Sequence, residues 1–118
     1  MITFLPRSHK NKAQDGFDQS FRLAKSLAAV TGIEFVNCFE RKIKSDEQKH
    51  LNVYERRLNM NSAYKKRDIG DKVAGKTVIL VDDIVTTGSS MAACARIAYS
   101  MGAYSVMGIC LGYTEKNS

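Results

Sequence analysis

Val78-Ile79-Leu80-Val81-Asp82-Asp83-Ile84-Val85-Thr86-Thr87-Gly88-Ser89-Ser90-Met91 is the stretch on which the fold of this chain turns. Val78 to Val81 form an unbroken apolar, largely β-branched run, which suits a strand buried on both faces of a parallel sheet. The run leads directly into two adjacent carboxylates, Asp82 and Asp83. A turn of hydroxyls and glycine, Thr86 to Ser90, then opens onto a helical pattern. Ligands of parallel sheets collect at the carboxyl ends of the strands, and a helix N-terminus favours an anion. The turn can aim backbone N–H groups and hydroxyls at one point, while the acids suit sugar hydroxyls or a hydrated metal. The stretch therefore reads as a sugar-phosphate site, with phosphate at the turn and ribose at the acids. An apolar strand ending in Asp-Asp also occurs in receiver domains and in ordinary α/β turns. A receiver, however, carries its acid pair near the start of the chain and has no use for Thr-Thr-Gly-Ser-Ser.

Working outward, residues 2–5 read as a short strand stopped by Pro6, the only proline, and residues 7–16 as a basic, polar loop. A helix is predicted from Phe17 to Val30, with Phe17, Phe21, Ala24, Leu27 and Ala28 on one face, Asp15 as its cap and Gly32 at its end. Residues 34–39 read as a second strand, 44–60 as a strongly charged segment, and Ala63 to Lys66 as a further short strand. Gly70 and Gly75 mark turns before the strand at 77–81. A second helix spans Gly88 to Met101, with Met91, Cys94, Ala95 and Ala98 inward and Gly102 as terminator, and an apolar strand follows at 105–111. Strands alternating with helices predict an α/β domain with a mainly parallel sheet.

A chain of 118 residues, 44% hydrophobic and 25% charged, is expected to be one globular domain. No apolar run reaches membrane-spanning length and no signal peptide is evident. The three cysteines, Cys38, Cys94 and Cys110, are widely spaced among apolar neighbours. They read as small core residues in a reducing cytoplasm rather than as a zinc or disulfide framework. The net charge of +6 suits polyanionic ligands, nucleic acid included, without selecting one. No aromatic-interleaved pattern points to nucleic-acid recognition, and neither Gly-x-Gly-x-x-Gly nor a Lys-bearing phosphate loop is present. His9 and His50 in polar segments, and Lys65, Lys66 and Arg67 at a strand end, read as solvated. Tyr99 and Tyr104 read as core or sheet edge.

Residues 78–91 resemble the phosphoribosyl-pyrophosphate signature of type I phosphoribosyltransferases. Two further segments are similar to the ComF-type, competence-associated members of that family. Pro6, a basic loop and Gly16-Phe17-Asp18-Gln19 match a family segment reading Pro, several Arg or Lys, then Arg-Gly-Phe-Asn-Gln. Gln48, Leu51, Arg56 and Asn59, followed by Ala63-Tyr64, match its Gln-x-x-Leu-x-x-x-x-Arg-x-x-Asn pattern and closing Ala-aromatic pair. Asp15 stands where the family has Arg, with Lys10 and Lys12 nearby as substitute cations. The resemblance implies a type I phosphoribosyltransferase-like fold, a twisted, mainly parallel sheet flanked by helices. It also implies a single domain over 1–118 without the family's N-terminal cysteine-rich extension, and a homodimer.

Transfer of a phosphoribosyl group breaks the bond from ribose C1 to pyrophosphate as a nitrogen nucleophile attacks, so positioning and electrostatics carry the catalysis. On the resemblance, phosphoribosyl pyrophosphate is the ligand and Mg2+ the cofactor, bridging pyrophosphate oxygens. Asp82 and Asp83 would meet the ribose hydroxyls directly or through metal-bound water, and Thr86, Thr87, Gly88, Ser89 and Ser90 would hold the 5′-phosphate. Arg7, Lys10, Arg41 and Lys42 would face pyrophosphate. The segment containing Arg56 would close over the substrate and exclude water. Thr86 replaces an Asp found in purine-salvage members, which points away from a hypoxanthine or guanine acceptor and leaves the acceptor open. A sensor that binds without turnover, or a module associated with DNA uptake, is the competing expectation.

Overall fold

A computed structural model describes residues 1–6, 18–42, 63–85 and 88–113. Within them the chain forms β1 (Ile2–Phe4), α1 (Gln19–Thr31), β2 (Phe39–Arg41), β3 (Tyr64–Lys66), β4 (Thr77–Val85), α2 (Ser89–Ser100) and β5 (Ser105–Tyr113). β1, β4 and β5 make a three-stranded sheet in the order β1-β4-β5, parallel throughout. β2 and β3 form a separate antiparallel pair, with Phe39 opposite Lys66 and Arg41 opposite Tyr64. The expected α/β class, a parallel sheet flanked by helices, is what the chain adopts.

β4 is central because its residues can be buried on both faces. Val78, Leu80 and Val81 are each 0% exposed. Val78 and Leu80 pack with Ala93, Cys94 and Ala98 of α2, while Val81 packs with Ile2, Phe4 and Ala24 on the α1 side. Two cores thus lie back to back across one strand, each burial contributing about 1.5–3 kcal/mol. On the α1 side, Phe4, Phe21 and Phe35 contact one another with centroids 5.3–6.0 Å apart. Among the described residues no helix is long and apolar enough to cross a membrane.

Several sequence expectations shift. α1 begins at Gln19 and is capped by Asp18, whose carboxylate accepts from the N–H groups of Ser20 and Phe21 at 3.0 and 3.3 Å. Asp15, the expected cap, lies outside the described residues. Gly32 ends α1 with a φ of 74°, as expected. The strand expected at 34–39 divides in two. Phe35 bridges Ile2 in parallel, with Ile2 N–H donating to Glu34 O and Val36 N–H to Ile2 O. The Cys38 N–H then turns to the Thr3 hydroxyl at 3.2 Å, and the chain leaves to form β2. β4 does not end at Val81 but continues to Val85, because β5 goes on pairing past the acids, at Asp82↔Cys110, Ile84↔Gly112 and Val85↔Tyr113. Finally, Cys38 and Cys94 are buried, whereas Cys110 is exposed. β5 is apolar, but nothing among the described elements covers one of its faces.

Candidate functional site

The two acids lie in the second half of β4, still within the sheet ladder. Asp82 is half-buried, and its Oδ1 accepts from the Asp83 N–H at 2.9 Å and from the Ser20 hydroxyl at 3.2 Å. Burial pushes the Asp82 carboxyl up to about 6 and the Asp83 carboxyl beside it adds to the rise, against the two donors. Asp83, also half-buried, accepts from the Ile84 N–H at 2.8 Å. The chain therefore presents two carboxyls side by side, one of them fixed by a side chain from α1.

Ser20 is the site residue that sequence reasoning missed. It is 0% exposed, in the first turn of α1, and its hydroxyl is the direct link from that helix to Asp82. The signal was a polar residue four positions before Ala24, extending the buried face of the helix.

Past the acids, α2 starts at Gly88, whose φ of 78° lies in the left-handed region that favours glycine. Its N-cap carries no side-chain hydrogen bond, and its first turn contains no acidic residue. Ser89 and Ser90 are exposed in that turn. A helix start of this kind, with no acidic residue in its first turn, is suited to an anion.

Arg41 ends β2, where its guanidinium donates to the Tyr64 hydroxyl at 3.2 Å and lies 5.0 Å from the centre of that ring. Cys94 is buried on α2. Burial first, and then the charge of Asp82, push Cys94 up to about 12, while Arg41 opposes the rise. Lys42 donates its backbone N–H to Ala63 O at 2.8 Å, which brings together the two ends of the 43–62 segment. Lys65 and Arg67 are exposed, as expected, each 3.5 Å from Glu40. Of the remaining candidates, Arg7, Lys10, Arg56, Thr86 and Thr87 lie outside the described residues, as do His9, Lys12 and His50.

Among the described residues, no group of three or more His, Cys, Asp or Glu is placed to hold a metal. The Asp82–Asp83 pair nevertheless fits magnesium, which is commonly bound by one or two carboxylates together with substrate phosphates and water rather than by an all-protein cage.

Comparison with known proteins adds to this geometry. The profile of the phosphoribosyl transferase domain family matches residues 18–115. The chain is 30% identical over 111 residues to the DNA utilization protein YhgH of Salmonella typhi, covering 93% of this chain and 48% of that protein. It is 25% identical over 99 residues to competence protein F of Haemophilus influenzae, covering 83% of this chain and 43% of the relative. A ribose-phosphate pyrophosphokinase of Methanopyrus kandleri is 28% identical over 96 residues, 80% of this chain and 28% of that enzyme. The chain spans about half the length, or less, of these relatives.

Proposed function

The chain belongs to the phosphoribosyl transferase domain family, and on that premise we propose that it binds phosphoribosyl pyrophosphate with Mg2+ and transfers the phosphoribosyl group to a nitrogen acceptor. One observation carries this reading: a carboxylate pair at the end of the central parallel strand, followed at once by a helix start with no side-chain cap and no acid in its first turn. Asp82 and Asp83 would accept from the ribose hydroxyls, Asp82 held in place by Ser20. The backbone of Gly88 to Ser90, with the hydroxyls of Ser89 and Ser90, would take the 5′-phosphate, joined by Thr86 and Thr87. Arg41 would neutralise pyrophosphate from the α2 side of the sheet, together with Lys42, Arg7, Lys10 and Arg56. Bound magnesium would supply charge neutralisation at the pyrophosphate leaving group. The chain's own residues would orient the sugar and keep water from C1.

A second reading, binding without turnover, is favoured by Asp15. It places a negative charge where the family segment has an arginine, next to the basic loop expected to meet pyrophosphate. The relatives named for DNA utilization and competence suit that reading as well.

Pyrophosphate release separates the two. The chain, magnesium and phosphoribosyl pyrophosphate are incubated with a panel of nitrogenous bases and primary amines, beside an Asp82→Asn/Asp83→Asn control. Release with one acceptor, absent in the control, is the outcome expected of a transferase. Saturable binding with no release for any acceptor assigns the chain to the sensor reading.

A further inference from the structure

Gly108 stands in the interior of β5, where a glycine weakens the strand and marks either a bulge or a close approach. Most of the described glycines have a positive φ, but Gly108 does not, so its backbone asks for no glycine. Nor is there a bulge, since pairing with β4 runs unbroken from Ser105 to Cys110, with Gly108 opposite Leu80. A close approach is what remains.

The group that approaches is Met91. A Cβ at Gly108 would collide with the Met91 Sδ and lie 3.2 and 3.3 Å from its Cε and Cγ, so the thioether runs across the bare strand. Met91 is half-buried and packs against the core that holds Val78, Leu80 and Cys94. It follows Ser89 and Ser90 directly in the first turn of α2. Leu80, opposite Gly108, lies two residues before Asp82 on β4. One side chain therefore ties the helix start to the sheet about 7 Å along the strand from the level of Asp82.

We infer that Met91 and Gly108 are a positioning pair. The thioether seated on the glycine fixes how far the start of α2 stands from Asp82 and Asp83. It thereby fits the site to a pentose 5-phosphate, whose phosphate and ring hydroxyls are held at a set separation. This rests on the sugar-phosphate reading of the site, and neither residue touches the ligand. A ligand that needs the helix start alone is indifferent to the spacing, whereas one that spans helix start and acids depends on it. Methionine suits the role because its unbranched thioether moulds to an irregular surface.

The test is an NMR titration of the chain, read at the Ser89 and Ser90 amides, with two ligands: phosphoribosyl pyrophosphate with magnesium, and inorganic phosphate. Gly108→Ala evicts the thioether and Met91→Ala removes it. Each is expected to weaken phosphoribosyl pyrophosphate about tenfold and to leave inorganic phosphate within about twofold of wild type. Gly108→Ala/Met91→Ala is expected to lose no more than either single variant, because all three lack the same contact. A purely structural contact would lower the urea midpoint and leave affinity alone. Met91→Ala leaves β5 untouched and gives the reading by itself if Gly108→Ala does not fold. Folded variants with wild-type affinity for phosphoribosyl pyrophosphate would overturn the inference and leave the site standing. Losses that add in the double variant, or an equal loss of inorganic phosphate, would do the same. A wild type that does not bind phosphoribosyl pyrophosphate would overturn the site reading, and the inference with it.

Discussion

Held to the first turn of α1 by the Ser20 hydroxyl, Asp82 sits where burial and a second carboxyl both favour its protonated form. In the folded chain it keeps its proton up to about pH 6, against an ordinary aspartate value of 3.8. Between those values the folded state binds more protons than the unfolded, so its contribution to stability declines as pH rises through that window. Asp82→Asn is expected to flatten this decline in magnesium-free buffer. Full conversion of the shift would give about 3 kcal/mol. Solvent screening of a half-exposed carboxylate reduces that to about 1 kcal/mol at pH 7, in favour of the variant. Urea titrations of both proteins at pH 4 and pH 7 check the sign: a variant less stable than wild type at pH 7 would contradict the account. Ser20→Ala removes one of the donors to Asp82 without touching the strand. It is expected to weaken phosphoribosyl-pyrophosphate binding roughly threefold to tenfold, the net worth of one ordinary intramolecular hydrogen bond, about 1 kcal/mol. Unchanged affinity in Ser20→Ala would mean that α1 does not position the acid.

At the scale of elements, the two helices start by different means, and the proposed site uses the difference. α1 is capped by the Asp18 carboxylate, so Asp18→Ala should cost about 1 kcal/mol of stability in urea unfolding. α2 starts on Gly88 with no side-chain cap, and Gly88→Ala must hold a Cβ at a φ of 78°. That substitution is expected to cost about 1 kcal/mol and to weaken ligand binding as well, whereas Asp18→Ala should act chiefly on stability. The uninterrupted run 78–81 was legible because only a strand covered on both faces tolerates it. Gly32 was legible because the left-handed backbone that ends a helix selects glycine. Asp18 was not, since Asp15-Gly16-Phe17-Asp18 offers two caps one turn apart and sequence alone does not choose between them. Nor was the break after Phe35, which depends on the Thr3 hydroxyl taking the Cys38 N–H across the fold.

On the scale of the whole molecule, one parallel sheet with a core on each face delivers the acids and the helix start to the same end of β4. Alternation of strands and helices made that architecture readable. Which apolar strand remains uncovered was not readable, because apolar character in β5 records a preference for burial and not what covers it. Ser20 stayed hidden for a related reason: a serine on a buried helical face reads as a small filler until its distant partner is known. The central claim is that Asp82, Asp83 and the start of α2 form one sugar-phosphate site. Calorimetric titration of phosphoribosyl pyrophosphate with magnesium into wild type and Asp82→Asn/Asp83→Asn tests it most directly. The account predicts saturable binding by the wild type, lost in a double variant that remains folded by circular dichroism. Equal binding by both proteins, or none by a folded wild type, would contradict it.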